Sequence, residues 1–300
     1  MKNLLSLPFL FFTGVCQADG RIEPKDMPQR GTEKWIADAL QAKPINVGVP
    51  FLRFAWTDHA ESVRLFEALQ KTRGLIDPTR GTFIVYGGGQ SYIPIAHLVR
   101  QIGVTHMFCP DGAHDGMVDG VRVVPILFAP RTMVEPAAHK DILYSFVGAV
   151  TSQTRAAMVA SAPKDAGDVK IVTRTGYHSD NSPEERERNK REYIDITSRS
   201  RFGLCPRGDV LGSFRFTELL GAGTIPIVLA DGIKLPHGID WNRCVIFVPE
   251  RDAHRIDEII RTIPREKEEE MRAMCLAIHA ALTRDPACFV RHFFDGTSII

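Results

Sequence analysis

Two apolar, strand-like runs, Phe202–Cys205 and Thr224–Ala230, are joined by a loop of arginine and glycine and a helix-length stretch. That order leaves strand, loop, helix and strand in series. Pro206 ends the first run, because proline has no N–H to give to a ladder and restricts the residue before it. Arg207, Gly208, Asp209 and Gly212 then combine a cation with glycines that tolerate unusual backbone angles, so main-chain N–H groups can approach an anion closely. Ser213 is the expected N-cap of a helix through Ala222, and Gly223 sits where a C-terminal glycine stops a helix. The open N–H groups and the dipole at that N-terminus favour negative charge, and Arg207 and Arg215 add formal positive charge. A pyrophosphate suits this arrangement. Arg215 and Glu218, three residues apart, share one helix face, so a cation for phosphate and a carboxylate for ribose hydroxyls project together. Thr224–Ala230 has the pattern of a parallel strand buried on both faces, and Asp231 and Gly232 follow at its carboxyl end, where open α/β sheets bind ligands. The bland alternative is an ordinary βαβ unit whose Arg215 and Glu218 form a surface ion pair.

Alternating strand and helix patterns continue through both halves, which predicts an α/β fold of two Rossmann-like domains facing a cleft. Thr82–Tyr86, Gly87–Gly89 and Ile93–Ile102 read as strand, turn and helix; the G-x-G-x-x-G fingerprint is absent, which favours a plain tight connection there. Val121–Phe128 is another buried-strand pattern, and the proline-bearing stretch Ala129–Lys140 is the linker candidate. A boundary near residue 138 follows, dividing the chain into 1–138, 139–285 and a C-terminal tail, 286–300. In the second domain Val169–Thr173 and Val245–Val248 read as strands. Pro183–Ser198 reads as a solvated, charged helix, and Ile256–Leu282 as two helices broken near Pro264.

The residues Phe202, Leu204, Pro206, Gly208, Ser213, Arg215, Glu218, Gly223, Ile225, Pro226, Asp231, Leu235, Pro236, Asp240 and Trp241 occur in an order and spacing that resembles the donor-site signature of the exostosin-like glycosyltransferases. Fainter similarity lies upstream. Leu143–Arg155 looks like the segment that opens the family's second domain, with Gly148 at a turn and Arg155 as a phosphate ligand. Thr105–Gly116 keeps the family's His106, Phe108, His114, Asp115 and Gly116 but lacks its tryptophan. The chain departs from the family pattern at Leu219 (usually alanine), Thr224 (often cysteine), Lys234 (often glutamate) and His237 (often phenylalanine).

The resemblance implies a GT-B enzyme that transfers a sugar from a UDP-sugar to an oligosaccharide or polysaccharide, with inversion, by direct displacement and without a metal. The donor is a co-substrate, and no cofactor is expected. Negative charge builds on the departing diphosphate while the acceptor hydroxyl loses a proton. The sequence contains no Asp-x-Asp, so Arg207, Arg215, the amides around Gly208, Gly212 and Ser213, and Arg155 are the expected leaving-group ligands. Glu218 and Asp231 are the nucleoside-side candidates. For the proton, Asp115 is the first candidate, His114 the second and Asp111 the third, against the alternative that all three belong to a hydrogen-bonded turn. Trp241 is expected in the core. A non-catalytic partner of the same fold that binds a nucleotide sugar is the alternative function. A nucleotide-dependent oxidoreductase is disfavoured by the missing dinucleotide fingerprint.

Composition fits a globular two-domain chain: 44% hydrophobic, 24% charged, and 37 basic against 36 acidic side chains, a net charge of +1. No broad nucleic-acid footprint is expected from that balance. The six cysteines form no C-x-x-C pair, which favours buried free thiols, with Cys288 able to pair in an oxidising compartment. Lys2 and the apolar stretch Leu4–Val15 resemble a signal peptide too short to span a bilayer. A cytoplasmic location with peripheral membrane contact at the N-terminus and a secretory lumen are both compatible with it.

Overall fold

The computed structural model describes residues 104–163, 165–175 and 181–300 and, before these, 14–16, 22–24, 32–43, 51–53, 83–85, 96 and 100. The turn expected at Gly87–Gly89 and most of the leader-like stretch lie outside the described residues. Gly14–Cys16 (β1) and Ile22–Pro24 (β2) form an antiparallel pair, followed by helix α1, Thr32–Ala42. Two compact units follow from the Cα arrangement. The first comprises 1–129, 234–238 and 285–299, and the second 130–233 and 239–284 with residue 300. The expected boundary at residue 138 thus falls just inside the second unit.

The first unit holds a five-stranded sheet in the order β3 (Phe51–Arg53), β4 (Phe83–Val85), β5 (His106–Cys109), β7 (Val121–Pro125) and β6 (Gly116–Val118). It is parallel except for the β6–β7 pair. That pair is a hairpin whose two turn residues, Asp119 and Gly120, have φ of 47° and 80°. Positive φ at both positions matches the twist of the flanking strands, and Asp-Gly is the dipeptide that tolerates it. Residues 286–300, expected as a tail, instead contain helix α7, Cys288–Asp295. Its Phe293 and Phe294 set their rings edge-on or tilted against His106 and Phe108 of β5, at centroid distances of 5.4–5.7 Å.

The second unit carries a fully parallel sheet in the order β12 (Ile246–Phe247), β11 (Ile225–Leu229), β10 (Ser200–Pro206), β8 (Ile142–Ala149) and β9 (Val169–Arg174). Every residue of β11 is buried, as a β-branched, apolar strand covered on both faces requires. Helix α2 (Gln153–Ser161) follows β8, α3 (Pro183–Arg199) precedes β10, and α4 (Phe214–Gly221) joins β10 to β11. Helices α5 (Ile256–Arg261) and α6 (Arg265–Arg284) flank Pro264, the break expected from the sequence. Helix α3 begins with a capping box. Ser182 Oγ accepts from Glu185 N–H, Glu185 accepts from Ser182 N–H, and Pro183 occupies the position whose N–H needs no partner. Its face is less wet than its charge run suggests, because Tyr193 and Ile196 pack on Ile142 and Val147.

Gly203 on β10 has a packing reason. A Cβ there would lie 2.2 Å from Leu219 Cδ2, so α4 seats a leucine directly on the strand. Leu219 is 2% exposed, a burial of about 1.5–3 kcal/mol. Helix α4 ends in a Schellman motif: Gly223, at φ +57°, donates N–H to Leu220 O, and Thr224 N–H donates to Leu219 O.

Lys140, at the end of the presumed linker, is a structural centre. Its Nζ lies 2.8–3.0 Å from Ser198 O, Ser200 O, Ala222 O and Thr224 Oγ1, four acceptors that share its three N–H donors, so one ammonium closes the C-terminal ends of α3 and α4. Cys109, Cys205, Cys244, Cys275 and Cys288 are buried, and burial pushes the Cys205 thiol up to about 11. Trp241 is 8% exposed and sets its ring edge-on to Phe216, a core position as expected.

Candidate functional site

The carboxyl ends of β8, β10 and β11 converge with two helix N-termini. Ser152 caps α2 by accepting from Arg155 N–H, and Ser213 caps α4 by accepting from Arg215 N–H. Ser152 Oγ also donates to Arg207 O, which ties the two loops together. The sequence places a serine just before each of these helices, and the parallel β8–β10 register brings both caps to one sheet edge.

Three guanidinium groups stand at this edge. Arg155 donates from Nε to Arg207 O and from Nη1 to Ala149 O, at 3.0 and 2.9 Å. Arg215 donates from Nη2 to Val147 O at 2.7 Å and lies 4.7 Å from the Phe146 ring centroid. Arg207 is the least tethered of the three, with its side chain 41% exposed and Nη1 4.0 Å from Glu250 Oε1; its Nε, like that of Arg215, has no hydrogen-bond partner. Gly148 and Gly208 are explained by these groups. A Cβ at 148 would lie 2.6 Å from Arg215 Nη2, and one at 208 would lie 3.0 Å from Arg155 Nη2. Neither Gly208 nor Gly212 has a positive φ, contrary to the expectation of unusual backbone angles; at 208 the need is space for a guanidinium.

Glu218 and Arg215 start from one helix face, yet the carboxylate, 7% exposed, is heavily used by the protein. Its Oε1 accepts from the N–H groups of Arg131 and Thr132, both at 3.0 Å, and its Oε2 accepts from Tyr193 Oη at 2.5 Å. A carboxylate has about four acceptor positions, so one on Oε2 remains. Burial, and then the Glu218 charge, raise the Tyr193 hydroxyl well above the ordinary tyrosine range. Asp231 is exposed at the end of β11; its Oδ1 accepts from Glu250 N–H while its own N–H donates to Glu250 Oε1. Glu250 also accepts from Thr154 Oγ1. Glu250, Tyr193 and Arg131 are absent from the sequence reading, since they lie outside the segment that carries the motif.

In the first unit Asp111 is 3% exposed and its Oδ1 accepts from Ala113 N–H. Burial raises its pKa, opposed by that N–H, by Cys109 and by His114. Asp115 is engaged at both oxygens: Oδ1 lies 2.8 Å from Arg122 Nη2, and Oδ2 lies 2.8 Å from His237 Nε2. His114 approaches Gly116 from the same loop. Among the described residues no group of three His, Cys, Asp or Glu is placed to hold a metal ion, and no helix is long and apolar enough to cross a membrane.

Residues 103–263 match the family model described as the Exostosin GT47 domain. The Exostosin-1 homolog of Caenorhabditis elegans is 40% identical over 100 residues, covering 33% of this chain and 26% of that protein. Exostosin-1 of Drosophila melanogaster is 42% identical over 84 residues, covering 27% of this chain and 11% of that protein. The matched stretch therefore spans about a quarter or less of these relatives. A solved structure of the pneumococcal O-GlcNAc transferase GtfA in complex with UDP and GlcNAc covers 85% of this chain and 59% of that one, at 11% identity and a TM-score of 0.42.

Proposed function

The chain belongs to the exostosin GT47 family of glycosyltransferases, and on that premise we propose that it transfers a sugar from a UDP-sugar to a hydroxyl of an oligosaccharide or polysaccharide, with inversion and without a metal. The observation that carries this reading is the sheet edge where two serine-capped helix N-termini and the guanidinium groups of Arg155, Arg207 and Arg215 meet. Backbone N–H groups at helix N-termini favour an anion, and the arginines would supply the positive charge a cation would otherwise bring to a departing diphosphate. Asp231 and the remaining acceptor position on Glu218 Oε2 serve the nucleoside hydroxyls. Proton removal from the acceptor falls to the first unit, where Asp115, His114 and Asp111 lie.

Calorimetric titration with UDP tests the donor half of the reading. Removing one charge-assisted contact to phosphate costs about 1.5–3 kcal/mol, so Arg207→Gln should weaken UDP binding roughly 10–150-fold while leaving the fold unchanged. An unchanged Kd removes Arg207 from the site. UDP release from a panel of UDP-sugars, with and without chelator, then separates an enzyme from a binding partner of the same fold. Loss of turnover on chelation would refute metal independence.

A further inference from the structure

We infer that His237, held by Asp115, is the group that takes the proton from the acceptor hydroxyl, and that Asp115 acts through it; this deepens the glycosyl-transfer reading and rests on it. Both oxygens of Asp115 already face cations or donors, Arg122 Nη2 on one side and His237 Nε2 on the other, each at 2.8 Å. A carboxylate held on both sides in this way presents few open acceptor positions to a substrate hydroxyl. The imidazole beside it is well placed for the task. His237 is 49% exposed, and with Nε2 turned to the carboxylate its Nδ1 is the nitrogen left to meet a substrate. A carboxylate on one ring nitrogen fixes the tautomer with the lone pair on the other and stabilises the imidazolium that forms.

The local build supports a set position. Residues 234–238 cluster with the first unit, and Lys234 N–H donates to Gly112 O at 2.7 Å, fastening this segment to the loop that carries Asp115. Gly238, at φ +89°, passes so close to α7 that a Cβ would lie 2.7 Å from His292 Nε2. Among the described residues, the charged and titratable groups carried by the elements around the dyad include Arg122 on β7, His114 and buried Asp111 on the β5–β6 loop, His292 on α7, and Lys234 on the segment itself. His237 is also one of the positions at which this chain departs from the pattern it resembles.

The step balances without a co-reactant. The acceptor oxygen bonds to the anomeric carbon, the bond from that carbon to the diphosphate breaks, the electron pair leaves with UDP, and the hydroxyl proton moves to His237 Nδ1.

The test is steady-state UDP release from the UDP-sugar panel across pH, with UDP affinity and melting temperature measured on each variant. His237→Gln should lower kcat at least 100-fold, in line with the contribution of a positioned base, and abolish the acidic limb of the pH profile, with UDP affinity within about twofold of the parent. His237→Phe, which keeps a ring in place, should behave the same and guards against loss of folding. Imidazole added to His237→Ala should restore turnover, and Asp115→Asn should lower kcat while leaving KM and UDP affinity near the parent's, because the ring loses the partner that fixes its tautomer. A His237→Gln or His237→Phe protein that keeps the parent's kcat or acidic limb overturns the role of His237 and leaves the transfer reading standing. A parent protein that releases UDP from no UDP-sugar overturns both.

Discussion

Replacing Lys140 with methionine keeps the aliphatic stem and deletes the ammonium whose three N–H groups are shared among Ser198 O, Ser200 O, Ala222 O and Thr224 Oγ1. Two of these acceptors keep another donor, since Ala137 N–H reaches Ser198 O and Thr224 Oγ1 reaches Ser200 O. Ala222 O loses its ammonium at a buried helix end, a cost of about 1–3 kcal/mol. Weakened bonding at the other three acceptors adds roughly 1–2 kcal/mol, and relief from burying a charge offsets part of the sum. The net loss is about 2–4 kcal/mol, a large share of the ~5–15 kcal/mol that holds a typical domain together. Urea unfolding of the two proteins measures it directly, and a loss below about 1 kcal/mol refutes the argument. pH supplies a second handle. Burial, followed by the Arg272 charge, pushes the Lys140 pKa from 10.5 down to about 7. Between these values the unfolded chain holds a proton that the folded chain has released, so stability gains with pH across the window. The deficit of Lys140→Met should therefore widen from pH 7 to pH 9, and a deficit that narrows contradicts the assignment.

Gly203→Ala should destabilise the second unit by about 1–3 kcal/mol through overpacking against Leu219, and Leu219→Ala in the same chain should return part of that loss; additive losses in a double-mutant cycle would show that the two residues do not compete for space. Glu268, fully buried on α6, faces Arg201, Arg265 and Arg272. Burial alone would raise its pKa, but the Arg201 hydrogen bond and the surrounding guanidinium charges bring it below the ordinary 4.5. A depressed carboxylate contributes stability that is present above its unfolded value and lost as pH falls through the folded one. Glu268→Gln should thus cost about 3–5 kcal/mol at neutral pH, with the gap to the parent closing below pH 4.5, as followed by acid denaturation; a constant gap would be the contrary result.

What the sequence discloses is local. Pro206, Ser213, Gly223 and the β-branched run to Ala230 each act within a few residues of themselves, and the strand, cap, helix and stop they announce are all present. Distance in the chain hides the rest. Lys140 meets partners 58 to 84 positions away, and Glu218 meets its backbone donors 86 and 87 positions away, so the structural contacts of both residues are invisible to local pattern. The contact of Asp115 with His237 depends on residues 234–238 returning to the first unit, which no periodicity encodes. The Asp119–Gly120 hairpin carries a local signal, an Asp-Gly pair between short apolar runs, within a stretch whose Asp and Gly content also suits a plain loop.

Arg155 and Arg215 are moored to strand-end carbonyls before any anion arrives. Ordering a long flexible side chain on association costs roughly 0.5–1.5 kcal/mol, and here that entropy has been surrendered during folding. Two such chains represent roughly a 5- to 150-fold advantage in affinity for whatever fits between them. The same rigidity narrows the range of anion shapes that can profit from it.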